Sequence, residues 1–162
     1  MKLIVVLDTN MLLLPHKQKI DIFSEIERLV PESHETVTFS SVVDELTRIS
    51  KTRGEDSIAA RVGLLLLKEK KSKIIETRQS VPSKVQSIHP ADKGQIACVK
   101  IRPIHGAVFY TGKNTDDAIK KFALENKPAV IVCTNDRLLR NSLRKEGVRI
   151  IGVREKNRLG FI

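Results

Sequence analysis

Leu3-Ile4-Val5-Val6-Leu7-Asp8-Thr9-Asn10 sets five apolar residues in a row against three polar ones. An unbroken, β-branched apolar run without alternation reads as a strand buried on both faces, as the strands of a parallel sheet are. The polar triplet then reads as a functional turn. The apolar run is too short for a membrane span or a signal-peptide core, so a cytoplasmic protein is expected.

Outward from this stretch, strand and helix patterns alternate. Ile20, Phe23, Ile26 and Leu29 recur at helical spacing, giving an amphipathic helix over 20–30 stopped by Pro31. Residues 36–39 read as a short strand, with Ser40 or Ser41 as the N-cap of a helix that carries Val42 to Leu46. A helix over 58–70 leads through a lysine-rich turn to an edge strand over 73–77. Order returns at Asn114-Thr115, the cap of a helix with Ala118, Ile119, Phe122 and Ala123 on one face. Residues 129–133 are a second buried strand, Asp136 opens a helix that Gly147 closes, and 148–153 is the last strand. Such alternation predicts an α/β fold, a three-layer α/β/α sandwich around a central parallel sheet. A single domain over 1–162 is expected, with 80–112, rich in Pro and Gly, as an irregular excursion and 154–162 as a basic C-terminal tail.

Charge points to the partner. The 162 residues carry 29 Lys and Arg against 19 Asp and Glu, a net charge of +10, which favours a polyanion. Arg137, Arg140 and Arg144 are spaced to form one stripe of a helix, and Arg154, Lys156 and Arg158 follow near the end. These six residues are expected to bind RNA through its phosphates, without reading its sequence. Lys68, Lys70, Lys71 and Lys73 form a second cluster that reads first as a solvated face. One Tyr, five Phe and no Trp leave few platforms for stacking bases. Cys98 and Cys133 lack zinc-site spacing and read as buried thiols, and His16, His34, His89 and His105 show no mutual metal spacing.

Ligands of open parallel sheets gather beyond the carboxyl ends of the strands, where this sequence repeatedly places acids. Asp8 follows the first strand, Glu45 lies in the first turn after the second, and Asp136 follows the 129–133 strand. Asp116 and Asp117 begin the preceding helix. Acids in a first helical turn are also stabilised by the macrodipole whatever their function. Asp8 stands apart, because an acid abutting a buried strand is costly unless something pairs with it. Converging carboxylates call for cations, and Mg²⁺ or Mn²⁺, one ion or two, prefers oxygen ligands. Asp116 and Asp117 point about 100° apart, and the apolar positions beyond them select Asp117 as the ligand with Asp116 behind it.

LIVVLDTNMLL (3–13), Val43-Asp44-Glu45-Leu46, Thr115-Asp116-Asp117-Ala118-Ile119 and Val132-Cys133-Thr134-Asn135-Asp136-Arg137 together resemble the PIN-domain nucleases, in the family's order and over nearly the whole chain. The resemblance implies that Asp8, Glu45, Asp117 and Asp136 are catalytic and metal-binding, with Asn10, Asp116, Thr134 and Asn135 shaping the site. It implies a metal-dependent endoribonuclease that leaves a 5′-phosphate and a 3′-hydroxyl. Leu12-Leu13-Leu14-Pro15, Asp21-Ile22-Phe23 and TNDRLLRNSLR (134–144) are similar to the archaeal and eukaryotic branch that processes ribosomal RNA, more than to the bacterial toxin branch. The alternatives are a toxin with an antitoxin partner, and a non-catalytic RNA-binding assembly module. A homodimer is left open. A haloacid-dehalogenase-like phosphatase needs Asp where Asn10 stands, and the response-regulator pattern of paired acids and late Lys is missing.

Overall fold

The chain enters its sheet at once and leaves it through a helix that the sequence pattern did not reveal. A computed structural model describes residues 2–79, 110–112 and 114–162. Strand β1 (Leu3–Leu7) is followed directly by helix α1 (Thr9–Lys17), capped by Asp8. The apolar run of Met11 to Leu14 has no helical period, and Pro15 breaks the pattern, so nothing in this stretch advertises a helix. Met11, Leu12 and Leu14 are buried all the same.

The next elements are α2 (Ile22–Leu29), β2 (His34–Phe39), α3 (Ser40–Ser50), α4 (Glu55–Glu69) and β3 (Lys73–Ile75). Asp21 caps α2 through Ser24 N–H at 3.1 Å. The cap expected of Ser40 or Ser41 is absent: Phe39 holds that position, and the cap residue itself offers no side-chain acceptor to the first turn of α3. Ser40 Oγ instead accepts Thr77 N–H at 2.8 Å, while Ser41 N–H donates to Thr77 Oγ1 at 3.2 Å. A tertiary partner has replaced the local cap.

Beyond β3 lie β4 (Thr77–Gln79), β5 (Tyr110–Gly112), α5 (Thr115–Glu125), β6 (Val130–Cys133), α6 (Arg137–Lys145), β7 (Arg149–Glu155) and β8 (Arg158–Phe161). Asn114 caps α5 by accepting Asp117 N–H at 2.9 Å, as its position after the polar break implied. β4 and β5 pair in parallel as a separate ribbon, so the expected excursion over 80–112 ends in a strand. Its other residues, with Cys98, His89 and His105, lie outside the described residues. Residues 154–162, expected as a tail, finish β7 and form β8, an antiparallel edge strand in register Gly152 to Gly160. Leu159 is buried and anchors that edge.

Among the described residues the main sheet runs β3-β2-β1-β6-β7-β8, parallel throughout except at β8. It is the expected α/β sandwich, with one antiparallel strand added. Val5, Val6, Leu7, Ile131, Val132 and Cys133 are fully buried, as strands covered by helices on both faces must be. From β1 the chain first builds outward through β2 and β3, then returns to place β6 on the other side of β1. That reversal opens a crevice beyond the carboxyl ends of β1 and β6.

Candidate active site

The two strands flanking the reversal end in Asp8 and in Thr134-Asn135-Asp136. Their backbones are joined there by Asp8 N–H donating to Cys133 C=O at 3.2 Å, and Thr134 N–H ties the end of β6 onward to β7 at Ile151 C=O, 3.0 Å. Asp8 is 5% exposed and Thr134 fully buried. A carboxylate at such a depth needs donors, and it has three. Thr9 N–H reaches Oδ1 at 2.7 Å, while Thr134 Oγ1–H and Asn10 Nδ2–H reach Oδ2 at 2.7 and 2.8 Å.

The same bonds lock the loop of β6 to α1. Thr134 Oγ1 accepts Asp136 N–H at 3.0 Å, and Asn10 Oδ1 accepts Asn135 N–H at 2.9 Å. Asn135 Oδ1 in turn accepts Val153 N–H at 2.9 Å, and Asp136 Oδ1 caps α6 through Leu139 N–H at 2.8 Å. Gly152 keeps this loop close to the sheet, since a Cβ there would lie 3.1 Å from both Thr134 O and Asn135 Oδ1.

Glu45, on α3, is tied to this centre by a residue to which the sequence pattern gave no role. Thr9 Oγ1–H donates to Glu45 Oε2 at 2.5 Å, and Thr9 is only 7% exposed. One residue therefore holds Asp8 with its backbone and Glu45 with its hydroxyl. Its neighbour status to Asp8 was visible in the sequence, but its reach across 36 positions was not.

Burial and neighbouring charge then distinguish the α5 acids. Burial pushes the Asp8 carboxyl up to about 6, against the pull of the Thr134 and Thr9 bonds, with the charges of Asp116 and Glu45 adding to the rise. Asp116 is half-buried, and its carboxyl is raised by burial first and then by Asp136, Asp117 and Glu45. Asp117 is exposed, and its charge is not among those acting on Asp8. Of the two, Asp116 is the acid whose charge acts on Asp8, while Asn114 caps the helix at Asp117 N–H. The charges of Asp116 and Glu45 act on Asp8, and those of Asp136, Asp117 and Glu45 act on Asp116. Among the described residues no Lys or Arg forms an ion pair with any of them.

The donor set is all hard oxygen, which suits Mg²⁺ or Mn²⁺ rather than a softer ion. Among the described residues no three acids, histidines or cysteines lie at the spacing of a preformed metal cage. The chemistry of the donor set fits a divalent cation.

The basic residues are distributed less regularly than a single stripe. Arg137 and Arg144 are exposed on α6, but Arg140 is half-buried with its Nε–H unpartnered. Leu138, 79% exposed, interrupts the polar face. Arg154, Lys156 and Arg158 are exposed around the β7–β8 turn rather than on a free tail. Cys133 is buried, which pushes its thiol up and removes it from reactivity.

A family model described as a PIN like domain matches residues 5–100, more than half of the chain. The chain belongs to the PIN-like family. Its similarity to Ribonuclease VapC4 of Methanocaldococcus jannaschii is 30% identity over 155 residues, 94% of this chain and 91% of that protein. The PIN-like sandwich also matches the structure of the PIN domain endonuclease Utp24 with a TM-score of 0.61 at 20% identity, covering 98% of this chain and 92% of that one. That likeness establishes the fold. No helix among the described residues is long and apolar enough to cross a membrane.

Proposed function

We propose that this PIN-like protein is an endoribonuclease that hydrolyses RNA phosphodiester bonds with Mg²⁺ or Mn²⁺, and that it acts in RNA processing. The observation that carries the reading is the burial of Asp8 at the sheet's reversal, with Glu45, Asp116 and Asp136 around it and no basic side chain neutralising them among the described residues. Retaining uncompensated acids at the end of two buried strands costs stability, and a bound cation offsets that cost. The ribonuclease among its relatives supports the choice of RNA.

In this reading Asp8, Glu45, Asp116 and Asp136 hold the metal, and Asp117 stands outside it. When bound, the metal supplies an activated water and neutralises charge on the phosphate. Thr9, Asn10 and Thr134 hold the Asp8 and Glu45 carboxylates in place and remove their freedom to swing out to solvent. By lone-pair count, Asp8 Oδ2 is filled by two donors, which leaves Oδ1 with one free position and Glu45 with all of Oε1. Arg137 and Arg144, just beyond Asp136, bind the backbone phosphates that flank the cut.

The test is cleavage of structured RNA by purified wild type and by Asp8→Asn, with Mn²⁺, with Mg²⁺ and with chelator. Cleavage should need the metal and fall by at least two orders of magnitude in Asp8→Asn, the order of loss for a group that supports the transition state. Equal activity in the two proteins overturns the assignment. RNA binding with no metal-dependent products in wild type would favour a non-catalytic module.

A further inference from the structure

We infer that a second RNA contact, a phosphate-binding cavity built from Lys2, Lys70, Lys71 and Lys73, lies at the end of the sheet opposite the acidic site. The inference rests on the ribonuclease reading only for the identity of the polyanion.

The cavity has a volume of about 340 Å³ and lies among residues that begin strands: Lys2 ahead of β1, His34, Glu35 and Thr36 opening β2, and Lys73 opening β3. The acids stand where β1 and β6 end, so the two sites are separated by about 17 Å, the length of a five-residue strand. Four lysines face two glutamates, Glu27 and Glu35, in the cavity wall. Lys2 and Lys73 share one Glu35 oxygen, at 3.2 and 2.7 Å, so two ammonium groups are drawn to a single carboxylate and positive charge is left over.

The other two lysines are placed by the end of α4. Lys70 rests over the Phe23 ring at 5.8 Å, and the Lys71 ammonium has no hydrogen bond or ion pair in the described residues. Lys71 N–H donates to Lys68 C=O at 3.2 Å and Ser72 N–H to Leu67 C=O at 3.1 Å, the bond pair of a helix end that turns through a left-handed residue. Lys71 holds that residue's place with φ 51°, where glycine would sit without steric cost. An unpaired cation at a position that disfavours any side chain, lining a cavity already rich in lysine, fits a phosphate group. A backbone phosphate needs charge and reach rather than base-reading groups, and the cavity wall carries four lysines, while its phenyl ring, Phe23, is buried.

The test exploits a matched control. Lys19 also holds a left-handed position, φ 56°, after α1 and away from the cavity, with Lys17 two residues before it. Binding of a short fluorescent RNA without divalent metal is measured against salt for wild type, Lys70→Ala/Lys71→Gly, and Lys17→Ala/Lys19→Gly. The first pair should weaken binding several-fold and flatten the slope of log K against log salt by about 1.4, two single-strand contacts at about 0.7 each. An unchanged slope overturns the inference. So does an equal change in the control pair, which would reduce the effect to net charge. Each pair gives up one surface contact, Lys17 with Asp56 at 2.6 Å or Lys70 over Phe23, and each glycine relieves left-handed strain, so melting temperatures should stay close to wild type in both. If millimolar inorganic phosphate shifts the Lys71 amide resonance while RNA does not, the ligand is a free phosphate and the RNA contact falls. Loss of cleavage chemistry with this salt response intact would sink the proposed function alone, whereas an unaffected slope beside metal-dependent cleavage would sink this inference alone.

Discussion

Asp8 carries an electrostatic cost of burial. Its carboxyl titrates near 3.8 when unfolded and is raised to about 6 by burial, so between those values the folded state binds the extra proton. Stability therefore falls as pH rises through this window, by up to about 3 kcal/mol, because each tenfold difference in proton affinity between the folded and unfolded chain is worth about 1.4 kcal/mol. Chemical unfolding of wild type from pH 4 to 7 should show that fall, and Asp8→Asn should flatten it while melting no lower than wild type at pH 7. A wild type as pH-insensitive as Asp8→Asn would remove the claim. Thr9 is tested by a different measurement. Thr9→Val keeps the shape and loses the bond to Glu45, and should weaken Mn²⁺ binding several-fold by titration, with Thr9→Ser restoring it. Equal Mn²⁺ affinity in all three proteins would show that the hydroxyl does not hold Glu45 for the ion. Asp8 was readable in the sequence because a charge abutting a buried strand is anomalous, whereas Thr9 and Glu45 meet only through the packing of α1 against α3.

Helix α1 shows how an element can be hidden and still position the site. It begins at its cap, Asp8, carries Thr9 and Asn10 in its first turn, and is held by α4 at Gly63. A Cβ on Gly63 would fall 2.6 Å from Leu12 O, so the two backbones touch where no side chain fits. Gly63→Ala should destabilise the protein by about 1–3 kcal/mol through overpacking, despite the better helix propensity of Ala, as read by denaturant unfolding. A gain in stability would mean that α4 is free to shift. The strongly periodic α2, α5 and α6 could be read from spacing, but the rotation of α5 could not. Its apolar face put Asp117 forward as the ligand, while burial and the charges of Asp136, Asp117 and Glu45 act on Asp116.

Among the described residues, exposed arginines stand beside the acidic end of the sheet. The sequence carries +10 overall, and exposed Arg137, Arg144, Arg154 and Arg158 lie on α6 and the β7–β8 hairpin that continue from the acidic end of the sheet. Replacing these four with Ala should weaken binding of unrelated RNAs to a similar degree and reduce its salt dependence, because phosphate contacts carry no sequence information. Sequence-selective loss in the same binding assay would show instead that these arginines read bases. The β8 edge adds to this surface by fixing residues that would otherwise trail. Arg28 and Glu25 of α2 bond Leu159 C=O and N–H at 3.0 and 2.9 Å, closing the far side of the sheet.

The sequence alone determined the α/β class, the parallel core and the strand ends at which Asp8 and Asp136 sit, because unbroken apolar runs and the polar residues that halt them are local properties of the chain. Tertiary structure decided the strand order, the crevice between β1 and β6, the grip of Thr9 on Glu45, the half-burial of Asp116 and the return of the last residues as β8. Each of these joins residues far apart in the chain or depends on the rotation of one element against another, and periodicity carries no record of either.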